Sequence, residues 1–210
     1  GGSGISVGSI TAFGSIWVNG VRYDVSEAVF TREGESGKTQ DDYRLGEIVT
    51  VSGAMNADGI SGTAQTVEFD DSLEGVVSSI AEDGVSIQVL GQMVRTYSQT
   101  IFHGFSNLTD LALGNVVEIS GHIAQGEIQA SSITLKQTVF TDSLSELEVK
   151  GTVNNVDLAA KTFMLNTLVV DYSLAELDLP ASEPVNGQYV EVKSIQALQG
   201  NLMIASEVEF

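Results

Sequence analysis

Cysteine is absent from this 210-residue sequence, and proline, histidine, tryptophan and basic residues are scarce. Without cysteine there is no disulfide, no cysteine-ligated zinc, no iron–sulfur cluster and no thiol nucleophile. The compartment stays open, because an exported protein can also lack cysteine. Lys and Arg number 9 against 28 Asp and Glu, for a formal net charge of −19. A field of that sign repels phosphate backbones and anionic headgroups, and attracts cations or a basic protein. It also serves plain solubility in a secreted or envelope setting. No apolar run reaches the length of a membrane span. The opening Gly1-Gly2-Ser3-Gly4 reads as a flexible leader or a cloning remnant, with any export signal lying upstream.

What is present favours strands. There are 22 Gly against 2 Pro, and the apolar residues are rich in Val and Ile. That mix suits strands joined by tight turns.

Three anchors recur in one order. The first is a Gly leading an alternating segment: Gly8 to Phe13, Gly75 to Ile80 and Gly151 to Val156. The second is a turn running into a strand: Leu45 to Gly53, Leu113 to Gly121 and Asn186 to Ser194. The third is a closing strand: Thr63 to Phe69, Gln129 to Leu135 and Ile204 to Phe210. Matching anchors of the first two copies lie about 67 residues apart, and those of the second and third about 75 apart. The extra residues sit mainly around Thr138 to Leu147. The chain therefore reads as three tandem copies with short junctions: residues 1–72, 73–138, a linker at 139–147, and a divergent copy at 148–210.

Copy one is the clearest. Asn19-Gly20 lies between alternating segments, the strongest short-range hairpin signal. A two-residue loop pairs Val18 with Val21, Trp17 with Arg22 and Ile16 with Tyr23. Ile16, Val18, Val21 and Tyr23 then share the core face, with Trp17 and Arg22 outside. A less regular segment follows in each copy (26–44, 98–112 and 173–185), with a helical turn at Leu174–Leu177 or Leu108–Leu111. A last hairpin closes each copy through turns such as Asn56–Gly59 or Gln125-Gly126. The fold class is thus all-β: three tandem small OB-like barrels of five to six strands. The alternative is an open sandwich in which neighbouring copies share a sheet. A domain near 65 residues is close to the lower limit for folding alone, so packing between copies is expected to add stability.

Gly8 to Val21, Leu45 to Gly53 and Ala64 to Phe69 together resemble a bacterial domain-of-unknown-function family, number 5666. Copy two matches as well. Copy three departs, with Asn186 in place of the Leu and Lys193-Ser194 in place of Ser-Gly. The resemblance implies an OB-like fold, an exported periplasmic or outer-envelope location and room for a lipid anchor upstream. It implies no activity, no cofactor and no functional residues.

Chemistry-bearing patterns are weak. His103 and His122 stand at non-equivalent places with no partner motif, and no Gly-x-Ser-x-Gly elbow is present. Asp41-Asp42 and Asp70-Asp71 are adjacent carboxylates, which on a strand face opposite ways. Asn56-Ala-Asp58-Gly59 and Glu82-Asp83-Gly84 are acidic turns without a calcium-loop pattern. For nucleic acid, the Trp17 position becomes Gln88 and Met164 in the other copies, so a stacking platform does not repeat. Trp17 is the only Trp. It fits an inter-copy seam or a ligand contact, and Arg22 is expected to form a cation–π pair with it. The sequence therefore points to a non-enzymatic binding or scaffold module with an unknown protein or glycan partner. No metal or cofactor is expected, and nucleic acid is disfavoured. The alternative is a small-ligand or oligosaccharide binder at Trp17, Arg22 and Tyr23.

Overall fold

The computed structural model describes residues 2–210. By contact density the chain forms two compact units: Gly1–Asp71 with Gln99–Ile101, and Ser72–Ser98 with Phe102–Phe210.

The first unit holds β1 (Gly2–Ala12), β2 (Ile16–Val18), β3 (Val21–Asp24), β4 (Val29–Arg32), β5 (Glu35–Lys38), β6 (Ile48–Met55) and β7 (Ser61–Phe69). A 3-10 turn spans Gln40–Asp42. The strands close into a five-membered ring. β1, β2 and β3 form an antiparallel meander, β3 runs parallel to β7, β7 pairs antiparallel with β6, and β6 pairs antiparallel with β1. That order is the OB-type barrel. Asn19 and Gly20 take φ 53° and 74°, as a two-residue hairpin turn requires. The register is Val18 with Val21, Trp17 with Arg22 and Ile16 with Tyr23. Ile16, Val18, Val21 and Tyr23 are buried with Ile10, Val67 and Phe69.

Two segments differ from the sequence reading. Residues 26–44 are not irregular throughout, because β4 and β5 pair antiparallel and β4 runs parallel to β7. Their turn is Glu33-Gly34, both at positive φ, and a Glu in the first turn position hid it. The Gly-rich leader is a strand: Gly2, Ser3 and Gly4 pair with Met55, Ala54 and Gly53 of β6.

The chain continues with β8 (Leu73–Ile80), β9 (Ser86–Val89), β10 (Gln92–Arg95), β11 (Ile101–His103), β12 (Val116–Ala124) and β13 (Glu127–Gln137), all in the second unit except Ile101. β8, β9, β10, β13 and β12 repeat the ring, again with one parallel pair, here β10 with β13. Then come β14 (Leu147–Thr152), β15 (Asn154–Asp157), β16 (Thr162–Leu165), β17 (Leu168–Asp171), β18 (Glu176–Asp178), β19 (Tyr189–Ser194), β20 (Leu202–Ile204) and β21 (Glu207–Glu209). The ring order recurs here with two strands interrupted. β14 and β15 stand for the first strand, broken at Val153, and β20 and β21 for the last, broken at Ala205-Ser206. The sequence placed helical turns at 108–111 and 174–177. Leu108–Asp110 is a 3-10 turn. Leu174–Leu177 is not, because Glu176–Asp178 is strand β18, parallel to β21.

Copies two and three also share a sheet. β8 pairs antiparallel with β14, Glu74 opposite Glu148 and Leu73 opposite Val149. The barrels expected from the sequence are therefore present, together with the sheet sharing of the alternative. One contiguous core runs through both, from Leu73, Val89 and Ile119 to Leu147, Phe163 and Val192. At the seam the Gln92 amide donates to Leu90 O and Leu165 O, and its oxygen accepts from Asn166 Nδ2. Gly91 lies so close that a Cβ would sit 2.8 Å from Leu168 N.

The recurring anchors now have physical reasons. A Cβ on Gly8 would lie 2.4 Å from Asn19 Oδ1, and one on Gly75 2.5 Å from Leu90 Cγ. The β2–β3 and β9–β10 hairpins each set a side chain against that glycine. Gly46, Gly114 and Gly187 all take left-handed φ, at 86°, 94° and 89°. Their N–H groups donate to Ile10 O, Val77 O and Val153 O. The next side chain closes each turn on itself. Glu47 Oε1 accepts from Arg44 N at 2.7 Å, Asn115 Oδ1 from Ala112 N at 2.8 Å and Gln188 Oε1 from Val185 N at 3.2 Å. Gly53 and Gly121 sit at bulges, where a Cβ would fall 2.1 Å from Thr63 O and 2.3 Å from Gln129 O. At the corresponding place in copy three, Ser194 ends β19 and donates to Ile204 O.

Candidate functional site

The hairpin turn sets the three predicted site residues, and the pleat separates them. Trp17 and Arg22 are cross-strand partners on the outside of the first ring. Trp17 is 37% exposed, and Tyr23 points inward at 4%. Gly62 leaves room for its ring, since a Cβ there would lie 3.1 Å from Tyr23 Cε1. Trp17 and Arg22 thus share one face while Tyr23 occupies the other. The guanidinium stacked on aromatic rings is Arg32, at 4.1 Å from Phe69 and 5.0 Å from Tyr43. The sequence reading expected a cation–π pair between Arg22 and Trp17 and did not foresee this one. Arg32 also makes a bidentate pair with the buried Glu47, at 2.7 and 2.8 Å.

Tyr23 reaches an open groove of about 440 Å³ lined by Ser3 to Ser6, Gly53, Met55 and Asn56. The extension of β1 along β6 forms one wall. The groove offers a phenol, a thioether and backbone polar groups.

Several candidate acids serve the backbone. Asp58 accepts from Ile60 N, Ser61 N and the Ser61 hydroxyl. The Ser61 hydroxyl and the Ile60 amide hold its carboxyl below the usual range. Asp83 accepts from Val85 N, and Asp42 from Thr39 N. These are Asx-type turns and a cap, which explain the residues without a ligand.

The sequence reading missed a row of carboxylates in the second unit. Glu118 on β12 faces Glu74 on β8, which faces Glu148 on β14. Glu148 in turn faces Lys193 on β19. The three glutamates are 7%, 4% and 3% exposed. Lost hydration, then the charge of Glu118, push the Glu74 carboxyl up to about 9, against a pull from Lys136. Glu74 is therefore protonated near neutrality, and as an acid it can donate a hydrogen bond to Glu118. Each of these glutamates lies between apolar or glycine neighbours in sequence, a pattern that says "outward" but not whether the outer face is covered. His103 is half-buried at the end of β11 and His122 is exposed on β12.

A family profile described as Domain of unknown function (DUF5666) matches residues 6–68 and again 74–134. No curated protein matches significantly. Among solved structures, a chain titled drosophila Unr CSD456 aligns over 99% of this chain and 97% of its own length, at 12% identity and a TM-score of 0.27. A superposition that loose carries no argument about ligand or mechanism.

Proposed function

Given that this chain belongs to the Domain of unknown function (DUF5666) family, we propose that it is a non-enzymatic binding or scaffold protein of the cell envelope. It is exported, resides in the periplasm or outer envelope, and leaves room for a lipid anchor upstream. The partner is a protein or glycan, and the net charge of −19 favours one with a basic surface. The observation that supports this most is the shared core of copies two and three. Fused barrels hold their outward faces at fixed spacing, which suits a platform. The acidic turns at Asp58 and Asp83 are used on backbone amides.

Affinity capture from an envelope extract tests the reading, run with and without calcium. Reproducible recovery of one basic protein or glycan, weakened by salt, is the expected result. Turnover of a substrate by the purified chain would overturn it.

One observation favours a second reading, a small-ligand or oligosaccharide site on copy one. The groove beside Tyr23 lies on the barrel that also carries the half-exposed Trp17. Titration of Trp17 fluorescence with oligosaccharides checks it. Saturable quenching that is weakened in Arg22→Ala, which keeps the single Trp, would support that site, and a flat response across the set would remove it.

A further inference from the structure

A second groove lies where copy three begins. Residues 70–72 join β7 to β8, whereas residues 138–146 join β13 to β14, so one ring can follow another without the longer loop. That loop carries Leu144, 72% exposed, and the loop after β19 carries Ile195, 68% exposed. Both line one open groove of about 600 Å³, together with Asp142, Glu146 and Gln196. That volume suits a ligand cleft.

Both loops are tied down on either side of these residues. Phe140 packs against the core, and Leu147 is fully buried in it. Between them, Leu144 N and Ser145 N donate to Thr141 O. Thr141 N donates to the Ser145 hydroxyl, which donates to Gln137 Oε1. In the other loop Gln196 N donates to the buried Ser194 hydroxyl, and Leu198 packs against the core. The core thus takes the apolar residues that flank each loop and leaves Leu144 and Ile195 outside. Two large apolar side chains lining one groove on fixed turns offer a contact surface. A turn already fixed loses little entropy on binding.

We propose that this groove docks a basic segment of a partner protein, with an aliphatic side chain against Leu144 and Ile195 and a lysine or arginine beside Asp142 and Glu146. The proposal rests on the reading of the chain as a module for a basic partner, and gives that partner a place on copy three and its junction. Charge complementarity selects the occupant. The charged lining residues are Asp142 and Glu146, both exposed. Glu146 is near enough to Glu74 for its charge to raise that carboxyl, and Lys136, which opposes it there, does not line the groove. The net charge of −19 adds to the field that draws in a cation. A second copy brings the same excess of negative charge, and anionic headgroups are repelled likewise. Among the described residues no aromatic ring lines the groove, so a sugar ring finds no flat face. Arginine fits best, because it can pair a carboxylate through two parallel hydrogen bonds.

Chemical-shift mapping on the isotope-labelled full chain tests this. The probe is a short peptide of arginine and leucine, with a control in which glycine replaces the leucines. Saturable shifts centred on Leu144, Glu146, Ile195 and Gln196 are expected, with a Kd between about 10 µM and about 1 mM. The glycine control binds at least about tenfold more weakly. Leu144→Ser with Ile195→Ser changes only exposed positions, so it weakens binding at least about tenfold and leaves the melt unchanged. Asp142→Asn with Glu146→Gln weakens it at least about threefold and flattens its salt dependence. Shifts spread over the acidic surface without that centre overturn the proposal, and so does a wild-type chain that shows no shift. A double serine variant that binds like the wild type, or a glycine control that binds like the probe, overturns it too. Envelope capture separates this from the proposed function. Equal recovery of a basic partner by the wild type and the double serine variant leaves that function standing and removes the groove from it. If the wild type captures no partner, that function falls, while the peptide titration still decides the groove.

Discussion

Copies two and three are built on the same ring, yet one keeps its long strands whole and the other interrupts two of them. β12 and β13 run nine and eleven residues. In copy three the matching strands shorten to β19 of six residues and the pair β20 and β21 of three each. The difference starts at one position. Gly121 tolerates a bulge that brings Gln129 O within 2.3 Å of where a Cβ would be. Copy three has a side chain there, and the strand ends with Ser194 bonded to Ile204 O. What survives in all three copies is smaller than the sequence motif suggests: a left-handed glycine and, after it, a side-chain acceptor for the turn. The leucine of the motif does not keep one role: Leu45 packs against the core of copy one, Leu113 is 65% exposed and Asn186 replaces it in copy three.

The largest expected effect tests the bulge. Gly121→Val in copy two forces a methyl-bearing carbon onto a backbone oxygen and costs roughly 3 kcal/mol or more, whereas Ser194→Gly in copy three stays within about 1 kcal/mol. Urea unfolding of each variant measures the contrast. Next come the turn acceptors. Glu47→Ala removes the bidentate partner of the half-buried Arg32 and costs about 3 kcal/mol. Asn115→Ala loses a capped turn and its bond to Thr138 O, for about 1–2 kcal/mol. Gln188→Ala removes the longest of the three bonds and costs less than about 1 kcal/mol. Any other ranking contradicts the idea that each cost follows the bonds its acceptor makes.

Acidity tests the junction of copies two and three. Glu74 keeps its proton in the folded chain up to about 9, whereas an unfolded glutamate gives it up near 4.3. The folded state binds more protons between those values, so stability falls as pH rises through that window. Glu118, Glu148, Lys136 and Glu146 are the charged neighbours within this unit. The melting temperature of the wild type is expected to drop by roughly 5–10 °C from pH 5 to pH 9, and Glu74→Gln to flatten that slope. The smallest effect belongs to Leu113→Ser, within about 0.5 kcal/mol of wild type.

Legibility in the sequence followed turn chemistry. Asn19-Gly20 declared the first hairpin and its register, because two positive-φ residues leave few other conformations. Glu33-Gly34 makes the same kind of turn but carries no such signature, so the β4–β5 hairpin went unread. Alternation identified Ile16, Val18 and Tyr23 as core. It could not show that Glu74, Glu118 and Glu148 on the opposite face are buried, because period two assigns a face and not its cover. The Gly-rich start looked flexible by composition, yet eight paired positions along β6 make it strand. At the candidate site, the cross-strand pairing of Trp17 and Arg22 was readable. The groove was not, since it depends on β1 running past the ring along β6.

The central claim is that copies two and three, though separate repeats in sequence, fold around one core. Native-state hydrogen exchange on the full chain tests it most directly. The amides of Val89 and Val94 in copy two and of Phe163 and Val170 in copy three should share one opening free energy and respond together to denaturant. Two distinct opening energies, with copy three exchanging while copy two stays protected, would contradict the claim.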